Sequence, residues 1–253
     1  MRTSIVGTPV APSSFQEKEK RCRAVFDSFI WDNLSFWHVC TPGTSQQIIF
    51  ESPADYEFGI VAAATAAHDS DVRIITFELM SNHVHFIVCC KNSYGAEQFL
   101  NLFKKRLARY FRERKKIIDL SSFSSEPIAI ESLESLRNQI AYTNRNNFVI
   151  DPNQTPFSYP YGANAYYFNP FAKSIQGRPF GTLSLRGKMR LLHSKETDYP
   201  DKYIVSGNSI LPPSFCDIEL GESVFRDARH YMYKITRDVE SYKELASMLS
   251  DVE

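Results

Sequence analysis

At 253 residues the chain can bury a full core, as one domain with an extension or as two small ones. Lys plus Arg and Asp plus Glu each number 29, so the formal net charge is zero and any nucleic-acid contact must be a local patch. No apolar run reaches the length of a membrane span, which argues against a membrane protein, and five cysteines without a CxxC pair point to reduced thiols in a cytoplasmic protein.

Residues 1–14 read as a Pro-bearing tail. Phe15 to Trp31 mixes the run EKEKRCR with Phe26, Phe29 and Ile30, which predicts a short amphipathic helix. Ser35 to Thr41 predicts a strand, with Phe36, His38 and Cys40 alternating against Trp37 and Val39, and Pro42-Gly43 ends it. His38 reads as structural, or as a polar group near a site. Ser52-Pro53-Ala54-Asp55 is a helix start: Ser at the N-cap, Pro in the first turn, Asp where the dipole favours it. That helix runs to about His68.

From Val72 to Cys90 the period is two. Ile74, Thr76, Glu78 and Met80 share one face and Arg73, Ile75, Phe77 and Leu79 the other; after Ser81-Asn82 the alternation restarts with His83, His85, Ile87 and Cys89 against Val84, Phe86, Val88 and Cys90. This predicts two strands joined by a tight turn. His83 and His85, two apart at the start of a strand, project from one face within reach of one metal ion or one phosphate. Strand, helix, strand, strand, helix is the order of a ferredoxin-like α+β unit, an antiparallel sheet with helices packed on it.

The next helix begins between Ser93 and Ala96 and continues to about Lys116, with Phe99, Leu102, Phe103, Leu107 and Tyr110 as its apolar stripe. Its second half sets Lys104, Lys105, Arg106, Arg109, Arg112, Arg114, Lys115 and Lys116 against one acid, Glu113. That imbalance favours phosphate contact, with Lys104, Lys105, Arg109, Arg112 and Lys116 as the candidates. After the Ser-rich 119–127, a helix over Ser132 to Phe148 carries the stripe Leu133, Leu136 and Ile140. Tyr142 falls roughly opposite that stripe, on the side of Asn138 and Asn146, so it does not fill the core beneath its own helix. Residues 151–180 are loop-like and dense in Pro, Gly, Asn and aromatics, suited to wrapping the core or stacking on unpaired bases. Leu183 to His193 predicts a short basic helix, Tyr203 to Leu211 a hairpin at Gly207-Asn208, and Glu222 to Leu249 a long helix, giving a mixed, mainly helical C-terminal extension.

The stretch LMSNHVHFIV, followed on a later helix by Tyr142-Thr-Asn-Arg-Asn146-Asn147, resembles the single-tyrosine HUH transposases, and within them the REP-associated tyrosine transposase branch and its insertion-sequence relatives. The resemblance covers about residues 35–150. It implies a metal-dependent single-stranded DNA endonuclease and strand transferase that forms a 5′-phosphotyrosine intermediate at hairpin-flanked sites. It further implies Tyr142 as nucleophile, His83, His85 and Asn146 as ligands of Mg²⁺ or Mn²⁺, and single-stranded DNA with hairpins or palindromic repeats as the partner of a monomer or homodimer. The family's usual proline after the Asn is replaced by Asn147. On this division, 1–34 is a tail with a short helix, 35–150 the catalytic domain on an open sheet face, and 151–253 an extension for DNA recognition or bracing. A domesticated DNA-binding protein of the same fold is the alternative. A zinc or cupin-type enzyme would need a further His or Glu at strand spacing beside His83 and His85, and a two-histidine phosphodiesterase would need a second such motif; neither is visible in the sequence.

Overall fold

Two serines start the first two long helices. Ser14 Oγ accepts the Glu17 N–H while the Glu17 carboxylate takes the Ser14 N–H, opening α1 (Phe15–Trp31); Ser52 and Asp55 repeat the arrangement at α2 (Pro53–Asp69). The computed structural model describes residues 14–41, 47–121, 123, 126–150, 155–174 and 176–236. Strands β1 (Ser35–Cys40), β2 (Arg73–Leu79), β3 (Val84–Cys90) and β4 (Ile128–Ile130) form one antiparallel sheet in the order β2-β3-β1-β4. This is the interleaved order of a ferredoxin-like unit, and the α+β expectation holds. Strand β4 was not anticipated, because three residues are too short to display an alternation.

The two faces of the sheet are covered by different helices. On one, α2 and α3 (Ser93–Glu113) pack over the sheet, with Phe86 edge-on to Phe99 and Phe103 at 4.9 and 5.3 Å. Gly59 lets α2 approach this closely; a Cβ there would lie 2.8 Å from both Phe50 and Leu79. On the other face lie α1 and α4 (Leu133–Ile150), with Phe26 stacked on Phe36 and the stripe of Leu133, Leu136 and Ile140 buried.

The C-terminal third packs on the same core. It closes the free edge of β2: Leu79 donates its N–H to Tyr161 O, Ala163 to Phe77 O, and Asp217 to Ile74 O, at 2.9, 3.0 and 2.8 Å. A small sheet of β5 (Arg178–Pro179), β6 (Ile204–Ser206) and β7 (Ser209–Ile210) turns at Gly207, whose φ of +59° suits glycine. Two short helices follow: α5 (Leu185–Leu192), where the sequence predicts one, and α6 (Ile218–Ser223), which was not anticipated. The long helix expected from Glu222 is broken: α6 ends at Ser223 and helical turns resume over 228–236. The break has a cause, since the Val224 carbonyl accepts from Arg137 Nε at 2.7 Å and Asp227 Oδ1 caps the new helix through His230 N–H at 3.0 Å. The rest of that expectation, to Leu249, lies outside the described residues. Among the described residues none of the five cysteines is in a disulfide, and no helix is long and apolar enough to cross a membrane.

The polar side of α4 is buried too, and it is held by a network. Thr76 Oγ1 donates to Asn144 Oδ1, Asn144 Nδ2 donates to the Tyr231 hydroxyl at 2.6 Å, that hydroxyl donates to Asn164 Oδ1, and Asn164 Nδ2 donates to the Asn144 carbonyl at 2.8 Å. Asn144→Ala should therefore take the acceptor from the buried Thr76 hydroxyl and the donor from the buried Tyr231 hydroxyl, and lower unfolding free energy in urea by about 3 kcal/mol. A loss below about 0.5 kcal/mol would mean that the network does not hold α4 in place.

Candidate metal and tyrosine site

The turn sets the register, and the register builds the site. Met80 N–H to His83 O at 2.9 Å closes the Ser81-Asn82 turn, which pairs Leu79 with Val84 and Glu78 with His85. On its other side β3 pairs His85 with Cys40 of β1. Directly paired residues share a face, so Glu78, His85 and Cys40 form a row, with His38 two residues along β1 from Cys40. Ligand-type side chains thus do accompany the histidines, contrary to the expectation from sequence; they arrive across the strands. His38, Cys40 and His85 hold their donor atoms within 4.8 Å of one another. His83 lies in the turn, just ahead of β3, and is half-buried.

The hydrogen bonds define which ring nitrogens are available. His83 Nδ1 lies 2.7 Å from Asn82 Oδ1, an acceptor, so Nδ1 carries the proton and Nε2 keeps its lone pair. His85 Nδ1 lies 3.1 Å from His38 Nε2. If His85 donates there, its Nε2 is likewise left as a lone pair. Burial keeps all three rings neutral: it pushes His38 to about 4, His85 to about 2, with His38 and His83 adding to the effect, and lowers His83 as well. Neutral imidazoles are what a metal needs.

Helix α4 lays Tyr142 over these rings. The Tyr142 ring stands edge-on to His85 at 5.4 Å and to His38 at 6.1 Å, and the Arg145 guanidinium lies 6.0 Å from its centre. One turn on, Asn146 Nδ2 is 3.3 Å from His83 Nε2. His83, His85, Tyr142 and Asn146 are thus brought together. The amide presents nitrogen to the ring; offering its oxygen to an ion there takes a half-turn about the amide's terminal bond. Beside it, Asn147 N–H donates to Glu78 Oε1 at 2.7 Å. A proline at 147, as in the family pattern, would lack that donor. Glu78 is 3% exposed, and burial raises its carboxyl to about 8 against the backbone bonds from Asn147 and Asn146.

One expectation changes. The sheet face is not open: α1 and α4 cover it, leaving His38 and His85 each 5% exposed. The basic residues of α3 lie on the opposite face of the sheet, with α2. There Lys104, Lys105, Arg109 and Arg112 stay apart from the histidines, and the Lys116 ammonium is bonded to Asp55 at 2.8 Å and Glu51 at 2.9 Å. Sequence reasoning missed Cys40, Glu78 and Arg145. Glu78 was within reach, because a two-residue Ser81-Asn82 turn puts it opposite His85.

The comparisons bear on this geometry. Residues 33–125 match the family model of IS200-like transposases. The match supports the transposase family and DNA processing as the type of activity, and it takes in β1 to α3 with His38, Cys40, Glu78, His83 and His85. It ends before α4, so Tyr142 and Asn146 lie outside the IS200-like segment. No curated protein and no solved structure gives a significant match. The donor set fits a divalent ion of the kind such transposases use. His38, Cys40 and His85 form a nitrogen and sulfur set, whose thiol suits zinc; beside it His83 stands edge-on to His85 at 4.9 Å and meets the Asn146 amide, and a set of two imidazoles and an amide oxygen would suit manganese at least as well as magnesium, which prefers oxygen ligands.

The buried groups predict a stability optimum in metal-free protein. The folded pKa values of His38 and His85 lie below the 6.5 of an unfolded histidine, so their contribution is complete above pH 6.5 and is lost as pH falls toward 4 and below. Glu78 has the opposite sign: its folded pKa of about 8 exceeds the unfolded 4.5, so its contribution is complete below pH 4.5 and is lost as pH rises toward 8. Two groups outweigh one below pH 6.5, and Glu78 alone acts above it. Urea unfolding in EDTA should peak near pH 6.5 and lose about 2 kcal/mol by pH 8. Glu78→Gln should flatten that alkaline limb; a limb that persists in the variant contradicts the assignment.

Proposed function

We propose that the chain is a single-stranded DNA endonuclease and strand transferase of the REP-associated type, working on hairpin or palindromic sites with Mn²⁺ or Mg²⁺ at His83, His85 and Asn146. The observation that carries the reading is the Tyr142 ring set edge-on over His85, one helical turn from an Asn146 amide that meets His83. When bound, the ion supplies charge neutralisation at the non-bridging phosphate oxygens. The chain's own groups do the rest. Asn82 Oδ1 and His38 Nε2 accept hydrogen bonds from the Nδ1–H groups of His83 and His85, which would leave both Nε2 lone pairs to hold an ion. Tyr142 Oη gives up its proton to solvent and attacks phosphorus in line, the P–O3′ bond breaks, the 3′-oxygen takes up a proton from solvent and leaves as a hydroxyl, and the 5′-phosphate stays on the tyrosine. Arg145 holds positive charge beside the ring, where the charge of a scissile phosphate would come. A second 3′-hydroxyl then displaces the tyrosine; one phosphodiester is made for each one broken, so no ATP is needed.

In this reading residues 35–150 are the catalytic unit, 1–34 its tail and first helix, and 151–253 brace α4 through Tyr231 and Asn164 and recognise DNA. Lys104, Lys105, Arg109, Arg112 and Lys116 contribute phosphate contacts away from the chemistry. The test is a denaturing gel of the protein with Mn²⁺ and labelled single-stranded hairpin oligonucleotides. A protein-linked band supports strand transfer. DNA binding without such a band under any divalent ion favours the domesticated, binding-only alternative.

A further inference from the structure

The α2–α3 side of the molecule, across the sheet from Tyr142, carries a second concentration of charge. Arg114 at the end of α3, Arg178 on β5, and Arg186 and Arg190 on α5 line one cleft of about 480 Å³. All four are exposed. Among the described residues none of them is ion-paired, and Arg114 only lies over the Tyr110 ring at 4.5 Å. Glu57 is the one carboxylate in the lining, and its Oε2 accepts from the Asn208 amide at 3.4 Å. The convergence comes from the fold: α5 puts Arg186 and Arg190 four residues apart on one side, and the small sheet carries Arg178 to the same hollow. Like charges brought together without counter-charges weaken a fold, and here this happens in a chain whose formal net charge is zero.

We infer that this cleft is a phosphate-binding site for the backbone of a nucleic acid, held on the opposite side of the sheet from the tyrosine. Guanidiniums match phosphate oxygens in pairs, and the hollow is of nucleotide size. Basic residues also continue beyond it: Arg190 lines a neighbouring hollow with Arg109 and Lys195, in which the one carboxylate, Glu113, is bonded to His193 at 3.2 Å. Three of the four arginines lie outside the IS200-like segment. Only the kind of nucleic acid, a DNA hairpin, rests on the proposed function. A DNA strand engaged at Tyr142 and a duplex engaged here would contact opposite faces of one subunit.

The test is fluorescence anisotropy of a labelled DNA hairpin in EDTA, across a salt series, with wild type and with Arg178→Ala/Arg186→Ala/Arg190→Ala. These side chains are exposed, and circular dichroism checks that the variant folds. The plot of log affinity against log salt should become shallower by about two to three units in the triple variant. Glu57→Gln should tighten binding, which a purely structural change would not do. An unchanged slope in the triple variant overturns the inference whatever Glu57→Gln does. Calorimetric binding of inorganic phosphate that the triple variant loses, with the DNA slope unchanged, would make this a small-anion site and overturn it too. Covalent adduct formation on a denaturing gel separates the two readings. An adduct with an unchanged slope removes the cleft alone, whereas a shallower slope with no wild-type adduct removes strand transfer alone.

Discussion

Tyr142→Phe should fold, bind single-stranded DNA nearly as wild type, and form no covalent adduct. The ring is half-buried, set against His38 and His85, and phenylalanine keeps that packing. Loss of one hydroxyl costs about 1 kcal/mol of stability at most in such a setting. The chemistry, by contrast, loses the atom that bonds to phosphorus, so adduct yield should fall by more than about a thousandfold. Binding lost together with cleavage would mean that Tyr142 holds DNA or the fold rather than acting as nucleophile.

The second large effect concerns the ion. Calorimetric titration with Mn²⁺ should show binding to wild type and none to His83→Ala or His85→Ala, while Cys40→Ser binds as wild type. His83 is partly exposed and its loss should leave the fold intact; His85 is buried between His38 and Tyr142, so its removal should also cost about 2–3 kcal/mol of stability. The Cys40 variant separates the two donor sets. If Cys40→Ser abolishes binding and His83→Ala does not, the ion sits on the sheet with His38, Cys40 and His85, and the ligand assignment for Asn146 fails with it.

How much of this was legible in the sequence follows from the range of the interactions. Local signals read well: the Ser52 start, the Ser81-Asn82 turn and the apolar stripe of α3 all lie within a few residues of their effect. Tyr142 could be set apart from the stripe of α4 by periodicity, but not its neighbours, since the contact with His85 joins positions 57 residues apart (142 − 85). His38 read as structural because β1 meets β3 only in the folded chain, where the register puts Cys40 beside His85. The covered sheet face was missed for a related reason. Thr143, Asn144 and Arg145 look like solvent-facing residues, yet they are buried, and Tyr231 and Asn164 from the far end of the chain bond to Asn144. Charge counting found the bases of α3, but not that Lys116 is tied to Asp55, nor that arginines from three separate stretches meet in one cleft.

The central claim is that Tyr142 is the residue joined to DNA, and peptide mapping of the trapped complex tests it most directly. Other tyrosines follow closely in sequence, but the structure engages them elsewhere. Tyr159 donates its hydroxyl to the Leu79 carbonyl, Tyr161 stacks on Tyr56 at 4.0 Å, and Tyr167 is buried with its hydroxyl on the Ile75 carbonyl. Digestion of the adduct and mass spectrometry of the nucleotide-bearing peptide should place the modification on Tyr142. A modified peptide carrying Tyr159, Tyr161, Tyr166 or Tyr167 instead, with Tyr142 unmodified, would contradict the account.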